Sequence, residues 1–221
     1  VEDVYAAQLR AKVGLDKPPH IQFSNWFSRI LRGDFGFSFM NQKPAWDVID
    51  DKMPASIQLG VMGLLLAIGM GIPMGIIAAR FPDTWIDNFI RVFSLTGLST
   101  PAFVTAAIIM VILSMAAGWV PPEYIAFTDD PVQNLTNMVF PVAVVAFGSS
   151  APLTRLVRSQ MLEVMSQDFI RTARAKGLSE RAVFYKHGLR NALLPIVTVV
   201  GFSLDNLVAG SVVTEQVFGI N

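Results

Sequence analysis

The sequence predicts an all-α, polytopic membrane protein, and composition and charge patterning carry that prediction. The chain has 221 residues, of which 52% are hydrophobic and only 15% are charged, and its mean hydropathy is +0.49. The charges are clustered, which leaves residues 53–79, 92–122 and 131–154 as charge-free runs of 27, 31 and 24 residues. A helix crosses a bilayer with about 20 mainly apolar residues, so each run is long enough for a span.

Four spans are expected, at residues 55–79, 97–119, 134–153 and 192–213. The first opens near Pro54, since proline suits the first turn of a helix. Gly71 and Gly75 form a small-xxx-small pair in this span, which allows close contact with a neighbouring helix in lipid.

Residues 1–53 are polar and mixed in charge, and we expect them to form an external segment ahead of the membrane domain of residues 54–221. A first helix is predicted to end at Gly14. A second, amphipathic helix is predicted from an aromatic stripe, and a glycine-punctuated loop follows it at residues 32–39. The segment is either a small folded cap or an interfacial helix. The stripe consists of Phe23, Trp26, Phe27 and Ile30.

Polar residues interrupt the second span at Ser99, Thr100 and Pro101. Proline removes a backbone hydrogen bond, so a kink or break is expected near Thr100. Two interpretations remain open for these residues. They line a water-filled path, or they make ordinary intrahelical hydrogen bonds around a kink.

The fourth span carries Asp205 and Asn206. Asp205 lies about 20 Å along the helix from Ala192, which is well inside the hydrocarbon. A carboxylate is costly there and normally turns toward a cavity or a partner. A buried hydrogen bond, or a position nearer the interface, explains it equally well.

A charged segment, residues 155–190, separates the third and fourth spans. It holds eight Lys/Arg and three acids, whereas residues 121–134 hold three acids and no Lys/Arg, so we expect the charged segment to be cytoplasmic and residues 121–134 to be external. An apolar stripe predicts a helix that ends at Gly177 in the left-handed conformation. Ser179 is the expected N-cap of a second, shorter helix, and Glu180 suits the positive end of its dipole. The stripe is Val157, Met161, Met165, Phe169 and Ala173.

Several functions find little support in the composition. The formal net charge is zero, which argues against nucleic acid as a partner, and the absence of cysteine excludes disulfides and thiolate chemistry. His20 and His187 lie too far apart in the predicted topology to share a metal ion. No phosphate-binding loop of the GxxxxGK[ST] type occurs, so the chain is not expected to bind ATP. No nucleophile is grouped with a base, and we expect no enzymatic centre.

The stretch RTARAKGLSERAVFYKHGLRNALLP resembles the cytoplasmic loop of binding-protein-dependent ABC importer permeases, in the version found in dipeptide and oligopeptide permeases. Three further stretches resemble that family in the same order, namely GLDKPPHIQFSNWFSRILRGDFGFSF, GLSTPAF and GSVVTEQVFGI. The positions that fit the general importer loop are Ala173, Gly177 and Leu189. The positions that depart from it, in the manner of the peptide branch, are Arg171, His187 and Arg190.

The resemblance implies a type I ABC importer transmembrane fold in a bacterial or archaeal inner membrane. Its expected partners are a second permease subunit, two cytoplasmic ABC ATPases that bind the ATP, an external substrate-binding protein and membrane lipid. Residues 154–191 would form the coupling loop, and the chain itself would hold no cofactor or metal. The implied coupling residues are Ala173, Gly177, Ser179, Glu180, Val183, Phe184 and Tyr185, of which the last three would fill a groove on the ATPase. The implied substrate path contains Ser99, Thr100, Pro101, Asp205 and Asn206.

Peptides are the expected cargo, and nickel or another small solute carried by the same family is the alternative. An ion-coupled secondary carrier that uses Asp205, and an integral membrane enzyme, are the hypotheses from other classes. The chain starts without Met and stops directly after a span, from which we expect a fragment that lacks the first and last spans.

Overall fold

A computed structural model describes residues 17–202 and 212–220 of the chain. The chain divides into two compact units, Val1–Met53 and Pro54–Asn221. The first unit contains helix α1 (Pro19–Leu31), strands β1 (Phe37–Ser38) and β2 (Lys43–Pro44), and the start of α2 (Ala45–Arg80). The second unit contains the rest of α2, then α3 (Trp85–Ser99), α4 (Ala102–Ala117), α5 (Pro131–Met165), α6 (Asp168–Ala175), α7 (Glu180–Ala182), a π-helix (Val183–Leu189), α8 (Arg190–Phe202) and α9 (Val212–Phe218).

The amphipathic helix predicted in the first unit is confirmed as α1. Phe23 packs against Trp26 and Phe27, with ring centroids 5.8 and 5.9 Å apart, but no residue of α1 is buried. Where a loop was expected, β1 and β2 form a short antiparallel hairpin. The glycines before it take positive φ and turn the chain into the hairpin. The helix predicted ahead of Gly14 lies outside the described residues.

The first long helix starts at Ala45, nine residues before the predicted opening at Pro54. Pro54 lies inside the helix and deprives the carbonyl of Asp50 of its usual intrahelical donor. Both residues are exposed, so the site of the missing hydrogen bond is not buried, and the helix continues through the proline.

Among the described residues, α2 and α5 are each long and apolar enough to cross a membrane. A third span is present if α3 and α4 are counted as one bent element. The two helices meet at 105°, with the break at Thr100 and Pro101, which confirms the break predicted there. The predicted span at residues 97–119 is therefore not one straight helix. The predicted span at residues 192–213 lies partly outside the described residues.

Small residues let α2 and α5 approach closely, as predicted for Gly71 and Gly75. A Cβ built at Gly75 would lie 2.5 Å from the Cβ of Val157, and one at Gly71 would lie 3.1 Å from the Cδ2 of Leu153. Leu153 and Val157 belong to the largest buried apolar cluster, which α8 also joins through Ile196. This cluster places α5 at the centre of the second unit.

Helices α3 and α5 run antiparallel to each other. Near the start of α3, Asp87 contacts Arg158 of α5, while ten residues later Gly97 meets Ala151, which comes earlier in α5. The N-cap Asp130 starts α5 by accepting hydrogen bonds from the backbone N–H groups of Val132 and Gln133, at 3.1 and 3.0 Å.

Candidate functional site: the charged segment and its supports

The charged segment begins as a continuation of α5, which extends to Met165. The single helix predicted from the apolar stripe up to Gly177 is wrong, because Gln167 is extended, with ψ 154°, and divides α5 from α6. Ser166 causes this end, since its backbone N–H and its hydroxyl both bond to the carbonyl of Glu163. Asp168 then occupies the first turn of α6, where the helix dipole favours a negative charge.

Gly177 reverses the chain after α6, as predicted, with φ at +80°. Its N–H donates to the carbonyl of Arg174 at 2.9 Å, and the N–H of Leu178 donates to the carbonyl of Ala173 at 3.4 Å. This pair of bonds is the Schellman motif, which satisfies the last carbonyls of a helix. No atom lies within 4 Å of a Cβ built at Gly177, so the need for glycine there comes from the backbone conformation alone.

Ser179 caps the next helix, as predicted, by accepting a hydrogen bond from the N–H of Ala182 at 3.4 Å. An ion pair spans the turn, with the Nε of Arg174 2.8 Å from the Oε1 of Glu180 and a second bond of 3.3 Å to the Oε2. The hydrogen bond from Arg174 is the main cause that lowers the pKa of Glu180 from its ordinary value of 4.5. The ion pair therefore bridges α6 and α7 across Gly177.

Val183 and Phe184 do not face outward, which corrects the expectation that they are available to a partner. Val183 is fully buried against Ile170 and Ala173 of α6. Phe184 is 3% exposed and packs in the cluster that contains Met161 of α5. The physical reason is that the π-helix lies directly on α5 and α6, so its apolar side chains fill the chain's own core.

A contiguous part of the charged segment remains exposed beside this core. The backbone turns at Gly177, and the exposed side chains around the turn include both apolar and charged residues. Leu178 is 41% exposed and Tyr185 is 48% exposed. We call this set the exposed rim, and it consists of Lys176, Gly177, Leu178, Ser179, Glu180, Arg181, Tyr185 and Lys186.

Arg80, at the end of α2, supports the π-helix in a way that the sequence did not predict. Its guanidinium carbon lies 5.5 Å from the ring centroid of Phe184 and 5.9 Å from that of Phe81. Both distances are in the range of cation–π attraction. The end of α2 is thus tied directly to the segment that carries the exposed rim.

A second support, also absent from the sequence-based expectations, is an ion pair between Asp87 and Arg158. The Nε and Nη2 of Arg158 donate to the two carboxylate oxygens at 2.6 and 2.7 Å, and the N–H of Asp83 adds a bond of 2.9 Å. Asp87 is completely buried, so this bidentate geometry is what makes its charge tolerable. The partners are 71 residues apart, and nothing in local spacing indicates the pair.

Of the residues expected to line a substrate path, Ser99, Thr100 and Pro101 are described, and they do not lie at the charged segment. Ser99 and Pro101 are exposed and Thr100 is half-buried, all three at the break between α3 and α4. Ser99 is about 18 Å along α3 from Asp87. The other two residues assigned to the path, Asp205 and Asn206, lie outside the described residues. The role of all five in transport stays a prediction.

A buried carboxylate, Glu215 of α9, is another polar group that the sequence reasoning did not single out. It is 1% exposed and accepts a hydrogen bond from the hydroxyl of Ser56 in α2 at 2.9 Å. A single glutamate at the end of an apolar run gave no signal for this contact. Within the described ranges, no three His, Cys, Asp or Glu side chains are grouped so that they could hold a metal ion.

The fold is that of a helical membrane protein, and comparison with known proteins identifies its family. Residues 71–221 match the family model described as the inner membrane component of binding-protein-dependent transport systems. The chain is 37% identical over 214 residues to a putative peptide transport system permease protein of Brucella abortus and 38% identical over 215 residues to the oligopeptide transport system permease protein AppB of Bacillus subtilis. It is 34% identical over 212 residues to the glutathione transport system permease protein GsiC of Salmonella typhimurium. Each alignment covers 96% of this chain and 67 or 68% of the relative.

The chain belongs to the family of inner membrane components of binding-protein-dependent transport systems. The all-α, polytopic fold predicted from the sequence is confirmed, with the two-residue strands of the first unit as a minor addition. The family also makes the chain a transport subunit and not an enzyme.

Proposed function

We propose that this chain is the permease subunit of an ATP-driven importer, that it forms the translocation path together with a second permease, and that peptides are its cargo. ATP is bound and hydrolysed on two cytoplasmic ATPase subunits, and an external binding protein delivers the substrate. The observation that carries the proposal is the exposed rim, which the buried Val183 and Phe184 attach to the central helix α5.

The exposed rim is suited to docking on a soluble partner. Leu178 and Tyr185 supply apolar contact, while Arg181 and Lys186 supply charge beside them. Aromatic and arginine side chains with an apolar neighbour are the groups that dominate binding at protein interfaces. We therefore assign the docking contact to these four residues in place of Val183 and Phe184.

Movement of the exposed rim would pass to the membrane helices as a rigid-body displacement. The π-helix leads without interruption into α8, and its Phe184 packs with Met161 of α5 and under Arg80 of α2. A push by the ATPases on the rim would therefore act on three membrane helices together, and packed interfaces of this kind switch between discrete arrangements. The ion pair Arg174–Glu180 keeps the rim itself stiff.

The orientation and the cargo rest on separate arguments. The excess of Lys/Arg in the charged segment favours its placement in the cytoplasm of a bacterial or archaeal cell, with the protein in the inner membrane. Peptide transport is proposed because the relatives are named for peptide, oligopeptide and glutathione transport. Nickel or another small solute is the alternative cargo within the same function.

The test is purification of the full-length protein from its own membranes in mild detergent, followed by identification of the subunits that accompany it. Two ATPases and a second permease are expected, and vesicles that contain the whole assembly should take up labelled dipeptides or oligopeptides when ATP and the binding protein are present. Uptake of radioactive nickel without uptake of peptides would show that nickel, and not a peptide, is the cargo. A protein that purifies alone and transports on an ion gradient would overturn the proposal and favour the secondary carrier that uses Asp205.

A further inference from the structure

A cavity of about 610 Å³ lies between α3 and α5, and no residue of it belongs to the exposed rim. Helix α3 lines it with Arg91, Leu95 and Leu98. These residues recur at i, i+4 and i+7, so they form one face of the helix with the charge at one end and the apolar residues at the other.

Helix α5 lines the opposite wall, and there too the charged residues lie toward one end and an apolar residue lies at the other. Pro152 lies at one end, and Arg155, Leu156, Arg158 and Ser159 follow along the helix, so that both arginines lie beyond the proline with Leu156 between them. Because α3 and α5 are antiparallel, the arginines of both helices meet at the end near the charged segment. The cavity therefore has a cationic end and an apolar end, separated by about 10 Å along the seven residues from Arg91 to Leu98.

The cationic end of the cavity has more positively charged side chains than nearby carboxylates to neutralise them. Arg158 is engaged by the buried Asp87, and the Nε of Arg91 lies 3.8 Å from the same carboxylate. Arg155 forms no ion pair with any residue in the part of the chain that the structure describes. Arg91 and Arg158 thus share one carboxylate, Arg155 has no such partner among the described residues, and none of the residues that line the cavity is acidic.

We propose that this cavity binds one anionic phospholipid, with the phosphate of the headgroup at Arg91, Arg155 and Arg158 and one acyl chain along Leu95 and Leu98. A phosphate offers oxygens that accept two hydrogen bonds from one guanidinium, and the acyl chain matches the apolar wall that continues from it. An apolar surface of another subunit would cover the leucines but would offer no anionic partner to Arg155, which forms no ion pair among the described residues. Basic pockets between membrane helices on the cytoplasmic side are typical positions for such headgroups.

The proposal depends on the membrane location of the chain and not on its cargo, so it is tested apart from transport. The purified, assembled transporter is titrated in detergent with phosphatidylglycerol or phosphatidylcholine, and bound lipid is counted by native mass spectrometry. We expect one phosphatidylglycerol to be retained for each copy of this chain, with phosphatidylcholine bound more weakly. Arg155→Gln should weaken phosphatidylglycerol binding about fivefold, the effect of losing one cation near a lipid phosphate. Arg190→Gln, which removes an exposed arginine outside the cavity, is the matched control and should leave binding unchanged.

A second pair of measurements separates a lipid from a soluble phosphate compound. Leu98→Ser should weaken phosphatidylglycerol binding because it removes part of the acyl wall, and glycerol 3-phosphate should not displace the lipid at equal concentration. Displacement by glycerol 3-phosphate would mean a soluble anion site and would overturn the proposal. Equal binding of both lipids, or an equal loss in Arg155→Gln and Arg190→Gln, would overturn it as well.

Discussion

The carboxylate of Asp87 receives both its strongest hydrogen bonds from Arg158, at 2.6 and 2.7 Å, in a position where the aspartate has no exposure and the arginine retains 21%. The pair joins the start of α3 to the part of α5 that leads into the charged segment. It holds these two helices in one register, next to the segment that we propose as the docking element for the ATPases.

Removal of one partner of this pair should destabilise the protein strongly. Arg158→Gln leaves the buried carboxylate without its cation and should cost about 3 kcal/mol of folding stability, more than Asp87→Asn, since Arg158 can still reach solvent. The midpoint of thermal unfolding in detergent measures both. The double variant Asp87→Asn/Arg158→Gln should recover part of the loss, and strict additivity of the two single effects would contradict the pairing.

Arg91→Gln, whose arginine lies 3.8 Å from the same carboxylate and is 45% exposed, should cost less than about 1 kcal/mol.

Close packing of α2 on α5 predicts a contrast between two glycines of the same helix. In Gly75→Ala the new Cβ meets the carbonyl oxygen of Thr154 at 2.7 Å, a backbone atom that can move only if the helices separate. We expect a loss of about 1–3 kcal/mol, the usual cost of overpacking. Gly69→Ala, where no atom lies within 4 Å, is the control and should be neutral or slightly stabilising. Equal unfolding midpoints for the two variants would show that the helices are not in close contact at Gly75.

The turn at Gly177 should be needed for coupling beyond its effect on stability. Gly177→Val imposes a β-branched residue at φ +80° and should cost about 1 kcal/mol or more locally, which shifts the exposed rim. We expect ATP hydrolysis to continue while uptake in reconstituted vesicles falls, so the ratio of uptake to hydrolysis drops. Gly33→Val provides the same backbone strain, at φ +79° in an equally open position of the first unit. If both variants uncouple to the same degree, or neither does, the turn has no special part in coupling.

The ion pair across the turn predicts a loosening of the charged segment at acid pH. Because Arg174 lowers the pKa of Glu180 in the folded state, the pair stabilises the segment above the ordinary value of 4.5 and is lost as the pH falls below it through the lowered pKa. The chain has no cysteine, so a spin label can be attached specifically to Leu178→Cys. This label should become more mobile as the pH falls below 4.5. In Glu180→Gln the label should be mobile at neutral pH and should change little on acidification. If the mobility of the label stays constant over this pH range in the protein that retains Glu180, the ion pair does not restrict the motion of the segment.

The sequence predicted correctly those features of the backbone that depend on residues close together in the chain. The left-handed turn at Gly177, the cap at Ser179 and the break at Pro101 each depend on the conformational limits of one residue and on hydrogen bonds within a few positions. The end of α5 was missed because the apolar period continues through Met165 to Phe169, whereas Ser166 and Gln167 divert the backbone between them.

Contacts between distant parts of the chain could not be read from local spacing. Val183 and Phe184 are apolar residues on a short helix, and from the sequence they could fill either a groove on a partner or the chain's own core. In the structure they lie in the core, where Val183 packs against Ile170 and Phe184 packs in the cluster of Met161. The partners of Asp87 and Arg80 likewise depend on how the helices associate. The sequence thus predicted Val183 and Phe184 to be available to a partner, whereas the structure buries both side chains.

Photo-crosslinking from single positions of the charged segment in the assembled transporter tests directly whether this segment is the coupling element. A photoreactive residue at Leu178 or Tyr185 should crosslink to a cytoplasmic ATPase subunit. One at Val183, which is fully buried, should yield crosslinks within the chain itself, and one at Met115, 84% exposed near the end of α4, should yield none to the ATPase. ATPase crosslinks from Leu178 and Tyr185 alone are the predicted result. Their absence at both positions, or a crosslink to the ATPase from Met115 in their place, would contradict the assignment of this segment as the coupling element.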